Sequence, residues 1–179
     1  FDWHRKSQLS GYADWLADTR GQMGESVTPA QVCRWRAELR QGLDPAIDRA
    51  LVTAAPWVPT LTDEQFRHME RRYAKANDEM RRDFLQADPA ERHAESVKRA
   101  VERAETVYGR LTDAQVRLVD AGVRASPFDP QGWLAERQRR QRDTLATLRR
   151  LVAERADADR VLAALRALAE RTERAADPG

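Results

Sequence analysis

The chain has 179 residues, which suits one domain with its own core, since about 70% of the unfolded surface is buried at this size. Lys and Arg number 31 against 29 Asp and Glu. This near balance argues against a protein built mainly to bind nucleic acid. A charged fraction of 34% beside 41% hydrophobic residues is typical of amphipathic helices, whose outer faces carry the charges. The sequence predicts a single all-helical domain over residues 1–176 and a disordered tail at 177–179.

A six-residue phrase occurs three times, and each copy predicts the start of a helix. It holds an apolar residue, then a threonine, then a glutamine three residues after the threonine. The threonine can cap the helix while the glutamine reaches back to the threonine amide, and the apolar residue can pack against one in the first turn. The predicted capping residues are Thr28, Gln31, Thr62, Gln65, Thr112 and Gln115.

The prolines divide the chain into eight predicted helices. Asp44-Pro45, Asp88-Pro89 and Asp129-Pro130 each indicate a cap followed by proline at the first helical position. The fold class is therefore all-α, a helical bundle or an extended array of about eight amphipathic helices. No strand is predicted. The helices are expected near 2–23, 29–42, 45–55, 63–86, 89–109, 113–125, 130–154 and 158–176.

Apolar residues at helical spacing predict a core-facing stripe on most of these helices. Cys33, the only cysteine, lies beside the predicted core residues Val32 and Trp35 and is predicted to be buried and unreactive. The predicted core residues are Leu9, Tyr12, Leu16 and Met23; Val32, Trp35, Leu39 and Leu43; Phe66, Met69, Tyr73, Met80 and Phe84; Val97, Val101, Ala104 and Tyr108; and Leu162, Leu165 and Leu168.

Residues 54–60 are predicted to be a linker that is not helical, because two prolines restrict the residues before them. Trp57 lies in this linker. It can either pack over the end of the bundle or, if exposed, contact a partner.

The seventh predicted helix departs from ordinary amphipathicity. Gln138 and Gln141 interrupt an apolar stripe that otherwise holds Leu134, Leu145 and Leu148. The first half of this helix is therefore too polar to be ordinary core.

The same helix carries an arginine-rich segment. Trp133 and Arg137 are one turn apart and can form a cation–π pair, and Glu136 can reach Arg139 or Arg140 at helical spacing. Two interpretations follow. One is a solvated arginine face with local ion pairs. The other is a groove that binds an anion or a peptide, lined by Trp133, Arg137, Arg140 and Gln141.

No catalytic residue, cofactor-binding residue or metal ligand is predicted. His4, His68 and His93 are dispersed and have no histidine or cysteine partner at the spacing of metal ligands. No nucleophile motif or phosphate-binding glycine loop occurs. The sequence thus predicts a protein that is not an enzyme.

Two resemblances add to these observations. The repeated Leu-Thr-x-x-Gln phrase resembles the pattern of the Spy/CpxP-like helical proteins of the bacterial periplasm, which include chaperones that work without ATP and regulators of envelope stress. Nearly the whole chain also resembles an uncharacterised family of proteobacterial envelope lipoproteins. The matching segments are Phe1–Arg5, Val32–Trp35, His68–Lys75, Asp88–Arg92 through Tyr108–Leu111, and Ser126–Pro130 through Trp133–Arg137.

The second resemblance implies a compartment and a fold class. Members look like exported proteins with a lipobox cysteine and a further helical segment upstream. Ala30-Gln31-Val32-Cys33 is not a lipobox, so the resemblance implies that this chain is a fragment without its anchor. The implied location is the periplasm, with the full-length protein anchored to the outer membrane through that lipid alone. No activity is established for this family, so the resemblance assigns no functional role to any residue of this chain.

Three functions remain open. The first is a periplasmic helical protein that binds unfolded polypeptides and holds them as a chaperone does, without ATP. The second is a structural or regulatory envelope protein that docks on one dedicated partner through Trp57 or the Trp133 region. The third is an arginine-based nucleic-acid binder, which would carry a basic stripe and lose affinity as salt rises.

Overall fold

The computed structural model describes residues 2–23 and 27–173, and over these residues it contains α-helices and no β-strand. The predicted all-α fold class is thereby confirmed. No helix among the described residues is long and apolar enough to cross a membrane. The helices are α1 (Asp2–Ser7), α2 (Leu9–Gln22), α3 (Pro29–Ala54), α4 (Asp63–Phe84), α5 (Pro89–Tyr108), α6 (Asp113–Arg124), α7 (Pro130–Ala153) and α8 (Ala158–Glu173).

The contacts of the chain define two compact units. Unit 1 comprises Phe1–Pro59 and Arg155–Ala167, and unit 2 comprises Thr60–Glu154 and Leu168–Gly179. In unit 1, α2 follows α1 after Gln8 and packs against α3, whereas in unit 2 α4 packs against α5 and α7, and α5 against α6. A single domain over residues 1–176 stays a prediction, and the predicted tail at 177–179 lies outside the described residues.

Each unit has its own buried apolar residues. Val161 and Leu151 are the most deeply buried of the large side chains, the first in unit 1 and the second in unit 2. The buried apolar residues of unit 1 are Trp35, Ala55, Val58, Ala156, Val161 and Leu165; those of unit 2 are Phe66, Met80, Leu134, Leu148, Leu151 and Leu168.

Each of the three repeated phrases forms a capping box, at the starts of α3, α4 and α6. At the start of α4, the Gln65 amide donates to the Thr62 hydroxyl at 3.3 Å, and the Thr62 amide donates to Gln65 Oε1 at 2.8 Å. The other two boxes repeat these bonds within 0.1 Å. All these hydrogen bonds lie within one turn, so the Thr and Gln side chains of each phrase are used to cap their own helix.

The predicted break at Asp44-Pro45 is wrong, because α3 runs unbroken from Pro29 to Ala54 with Pro45 inside it. Asp44 does not cap a helix. Its carboxylate accepts a hydrogen bond at 3.1 Å from Arg40, one turn earlier, and the continuous helix brings these two side chains together.

The linker predicted at 54–60 is also different in the structure, where Ala55–Thr60 forms a short 3-10 helix. The φ angle that proline imposes is close to that of a 3-10 helix. Pro56 and Pro59 are one turn of such a helix apart, and Ala55 and Val58 are buried. The prolines therefore end α3 without ending helical structure.

The stripe predicted for the first helix is wrong at three positions, because Leu9, Leu16 and Met23 are exposed. Polar contacts orient α2 instead. The Tyr12 hydroxyl donates to the Gly42 carbonyl at 3.2 Å, and Trp15 Nε1 donates to Glu38 at 3.1 Å. Both acceptors lie on α3. Hydrogen-bonding aromatic residues, rather than the aliphatic ones, thus face the neighbouring helix.

On α3 only Trp35 of the four predicted core residues is buried, while Val32, Leu39 and Leu43 are exposed. Cys33 is exposed as well, so the prediction of a buried cysteine is wrong. A residue two positions from Trp35 lies about 200° around an α-helix from it. With Trp35 turned inward, Cys33 therefore faces outward.

Tyr108, predicted as core, is also exposed. It is the last residue of α5, directly before Gly109, and the chain turns away there with a φ of 72° and a ψ of −169° at Gly109. This backbone conformation is open almost only to glycine.

We expect Gly109→Ala to lower the free energy of unfolding by about 1–3 kcal/mol, since alanine is strained in that conformation. Gly122→Ala is the matched control. Gly122 lies inside α6 with open space around it, so alanine there should stabilise the protein by about 0.5–1 kcal/mol. Urea denaturation of both variants gives the two values, and a loss at Gly122 or no change at Gly109 would contradict the assignment.

Candidate functional site

All four residues predicted to line a groove on the seventh helix do line one groove in unit 2. We call it the arginine–tryptophan groove. It has a volume of about 310 Å³, and α7 supplies every lining residue except Tyr73 of α4. Burial raises the pKa of Tyr73, so its hydroxyl stays neutral. The lining residues are Tyr73, Trp133, Glu136, Arg137, Arg140, Gln141 and Thr144.

Arg137 occupies an unusual position in this groove. Its guanidinium lies over the Trp133 ring at 5.8 Å from the ring centroid, which confirms the predicted cation–π pair. The Nε atom is buried without a hydrogen-bond partner among the described residues. None of the ion pairs in the described part of the chain includes Arg137. The groove therefore holds an arginine that is not engaged in an ion pair with any described residue.

Glu136 is fully engaged by its neighbours. Arg139 donates to both carboxylate oxygens, at 2.7 and 2.8 Å, and Arg140 Nε donates to one of them at 2.7 Å. The predicted contact to Arg139 or Arg140 is confirmed for both. The hydrogen bonds from Arg139, and next those from Arg140, lower the pKa of Glu136 to about 2. The carboxylate is thus ionised and paired at any ordinary pH.

We expect the carboxylate of Glu136 to titrate with a midpoint near pH 2, well below that of an unperturbed glutamate. Because the pKa of Glu136 is lower in the folded state than in the unfolded state, the ion pairs add to the free energy of unfolding at pH values above the unfolded-state pKa. This stabilisation is lost as the pH falls toward the folded-state pKa. Carbon-13 NMR of the side-chain carboxyl follows the titration. Arg139→Gln should move the midpoint upward, and a midpoint near 4 in the unaltered protein would contradict the pairing.

The glutamine that interrupts the apolar stripe pairs with a second amide. Asn77 Nδ2 donates to Gln141 Oε1 at 2.8 Å, and Gln141 Nε2 donates to Asn77 Oδ1 at 3.0 Å. Asn77 is buried on α4. Sequence reasoning missed it, although Asn77 stands between Tyr73 and Met80 on the predicted apolar stripe of that helix. An amide interrupting each of two stripes was the available signal.

An aromatic cluster of Phe84, Phe128 and Trp133 adjoins the groove, with ring centroids 6.3–6.4 Å apart. Phe128 is 52% exposed and Trp133 46% exposed. Arg99 lies over the Phe84 ring at 4.3 Å. Phe84 and Phe128 also line a second groove of about 560 Å³ whose other residues are Pro89, Arg92, His93, Ser96, Arg99, Ala100, Arg103, Val123, Ser126 and Pro130. Unit 2 thus presents exposed aromatic rings flanked by arginine on both sides.

Trp57, the other candidate, lies in unit 1 and is 67% exposed. It does not pack into a core. With Trp3 and Arg49 it helps to line a groove of about 590 Å³, and Arg49 lies over the Trp3 ring at 5.2 Å. Trp57 therefore belongs to unit 1, whereas the residues of the arginine–tryptophan groove all belong to unit 2.

The fold and the grooves describe an all-α protein with open, arginine-flanked surfaces. A comparison with known families matches residues 1–173 to the Family of unknown function (DUF6279). The chain belongs to this family. Searches of curated proteins and of solved structures gave no match.

Proposed function

We propose that the protein binds unfolded or extended polypeptides and holds them without ATP, in the manner of a chaperone. The observation that carries the proposal is the aromatic cluster of unit 2, whose exposed rings lie between two grooves flanked by arginine. Such a surface suits unfolded polypeptides of varied sequence, because its aromatic rings can contact apolar side chains and its arginines can contact acidic ones.

Further apolar surface is available in unit 1. Nine large apolar side chains of α2, α3 and the described residues between them are exposed. They can contact the apolar side chains of an unfolded polypeptide without any cofactor. The exposed residues are Leu9, Leu16, Met23, Val27, Val32, Leu39, Leu43, Ile47 and Val52.

The proposed location is the periplasm, as a protein tethered to the outer membrane by an upstream lipid anchor. This part of the proposal is supported by the resemblance to proteobacterial envelope lipoproteins and by the Leu-Thr-x-x-Gln phrases. The phrases act as helix caps here, so they support a shared scaffold rather than a shared binding site. Export to the periplasm would place the site among unfolded polypeptides in a compartment without ATP.

A second candidate is docking on one dedicated envelope partner. The observation that favours it is the single exposed tryptophan of the 3-10 helix, Trp57, since exposed tryptophans are frequent anchors of specific interfaces. Nucleic-acid binding has less support. Arg140 of the groove and its neighbour Arg139 are already paired with Glu136, so fewer arginines are available for phosphates.

The test is suppression of aggregation. A chemically denatured, unrelated protein is diluted into buffer with up to equimolar amounts of the protein, with and without ATP, and light scattering is followed. Trp133→Ala and Arg137→Glu should weaken the suppression. The matched controls are Leu118→Ala and Arg142→Glu, which change exposed residues of α6 and α7 that line neither groove.

Aggregation suppression and DNA binding, both measured over one series of salt concentrations, separate the functions. Binding of polypeptides through apolar contacts should persist when salt is added. For duplex DNA, by contrast, the logarithm of the binding constant falls against the logarithm of the salt concentration with a slope of about −0.9 for each phosphate neutralised. If the folded protein suppresses no aggregation and binds no DNA, the chaperone proposal fails. If the unaltered protein captures an envelope partner and only the Trp57→Ala variant fails to do so, the dedicated-partner function is favoured.

A further inference from the structure

We propose that the arginine–tryptophan groove binds the carboxylate of a glutamate or aspartate in an extended polypeptide, with a neighbouring apolar side chain of that polypeptide on the aromatic cluster. The inference rests on the proposed function to the extent that the occupant is a polypeptide. It goes further by giving the groove a preference for acidic segments.

The unused hydrogen bonds of Arg137 point to an anion. The guanidinium has five N–H donors, and it lies over the face of Trp133. Its Nε–H is buried without a partner, so the terminal N–H groups of the fork are the donors left for a ligand. A carboxylate is planar and can accept two parallel hydrogen bonds from one guanidinium.

The surrounding charges favour that anion. The groove is lined by two arginines and one glutamate, and Glu136 is held by Arg139 as well as by Arg140. Its negative charge is therefore already compensated. Asp143, the next carboxylate along α7, is paired with Arg171 at 3.0 Å. No unpaired carboxylate competes for Arg137 within this part of α7.

Two further polar groups of the groove are committed to the protein itself. The Gln141 amide is paired with Asn77, and the Thr144 hydroxyl donates to the Arg140 carbonyl at 2.9 Å. Recognition of an anion thus falls to Arg137, beside the neutral hydroxyl of Tyr73. A groove of about 310 Å³ is at the lower end of small-molecule sites and suits one or two side chains. The adjoining rings of Trp133 and Phe128 supply apolar contact beside it.

The test uses a fluorescent, C-terminally amidated peptide in which glutamates are flanked by leucines, and a second peptide with glutamine in place of each glutamate. Amidation removes the terminal carboxylate as a ligand. Fluorescence anisotropy at fixed ionic strength should show binding of the glutamate peptide that is at least about tenfold tighter, as for one charge-assisted hydrogen-bond pair.

Three variants locate the binding. Arg137→Gln should abolish the preference for the glutamate peptide, and Arg137→Lys should restore it in part, because lysine keeps the charge but not the planar fork. Arg142→Gln, on the same helix and outside the groove, should leave it unchanged. Thermal melting by circular dichroism verifies folding, and if Arg137→Gln does not fold, the comparison of peptides on the unaltered protein decides.

Equal affinity for the two peptides overturns the inference, as does a preference that survives Arg137→Gln in a folded protein. Inorganic phosphate serves as a competitor. If phosphate binds to the groove while neither peptide does, the groove is an anion site that does not take polypeptides, and the inference fails. Aggregation suppression that persists alongside equal peptide affinities would leave the holding function intact and remove only the acidic preference.

Discussion

Replacing Leu151 with alanine is expected to lower the free energy of unfolding by about 2–5 kcal/mol, the cost of removing a large aliphatic side chain from a packed core. Leu151 lies near the end of α7 and is 1% exposed. Three carbon atoms, one methine and two methyl groups, would be lost from a site where water has no access, and the cavity left behind adds to the transfer term. Denaturation in urea, followed by circular dichroism, measures the change.

The matched control for this prediction is Leu118→Ala. Leu118 is on α6 and is 74% exposed, so the same substitution should change the free energy of unfolding by no more than about 0.5 kcal/mol. A similar loss at both positions would show that Leu151 is not part of a close-packed core in solution.

The second large effect concerns the paired amides of Asn77 and Gln141. Asn77→Leu alone should cost about 1–3 kcal/mol, because it leaves the half-buried Gln141 amide without its two hydrogen bonds. Gln141→Leu alone should do the same to Asn77, which is buried. The double variant removes both amides and leaves nothing unsatisfied, so its loss should be smaller than the sum of the single losses.

A double-mutant cycle measures this difference directly. An interaction energy of at least 0.5 kcal/mol, about the lower bound for residues in contact, is the expected result. Strictly additive losses would mean that the two amides are solvated separately and do not bridge α4 and α7. Peptide affinity measured on the double variant would also show whether the amide pair matters for the groove or only for the packing beneath it.

The helix starts at the three capping boxes could be predicted because their determinants are local. Thr62 and Gln65 satisfy each other within one turn, so no knowledge of the rest of the chain is needed. The same is true of the Trp133–Arg137 pair and of Glu136 with Arg139 and Arg140, which are three or four residues apart. Residues at those spacings are neighbours on any α-helix.

What the sequence did not predict depends on contacts between helices. The exposure of Leu16 follows from the hydrogen bonds of Tyr12 and Trp15 to α3, and hydrophobic periodicity takes no account of such bonds. The wrong assignment of Cys33 has another cause, because its position about 200° around α3 from the buried Trp35 follows from helical spacing alone. Asn77 was missed because its partner lies 64 residues away, and no spacing rule links positions so far apart.

The grooves were predicted only in part for the same reason. Trp133, Arg137, Arg140 and Gln141 share one helix, so their common face could be read from spacing. Tyr73 of α4 completes the groove, and Phe84 and Phe128 extend the aromatic surface. These residues arrive through the packing of unit 2, which the sequence pattern does not specify.

Pro45 gives α3 a property that its unbroken length conceals. Proline has no amide hydrogen, so the carbonyl of Gln41, four residues earlier, lacks its usual donor and the ladder of backbone hydrogen bonds is missing one rung there. Fraying that begins at either end of α3 meets this gap before it reaches the other end. Deuterium exchange should therefore divide the helix at Pro45 into two segments that open separately, so that one continuous helix behaves as two units of local unfolding.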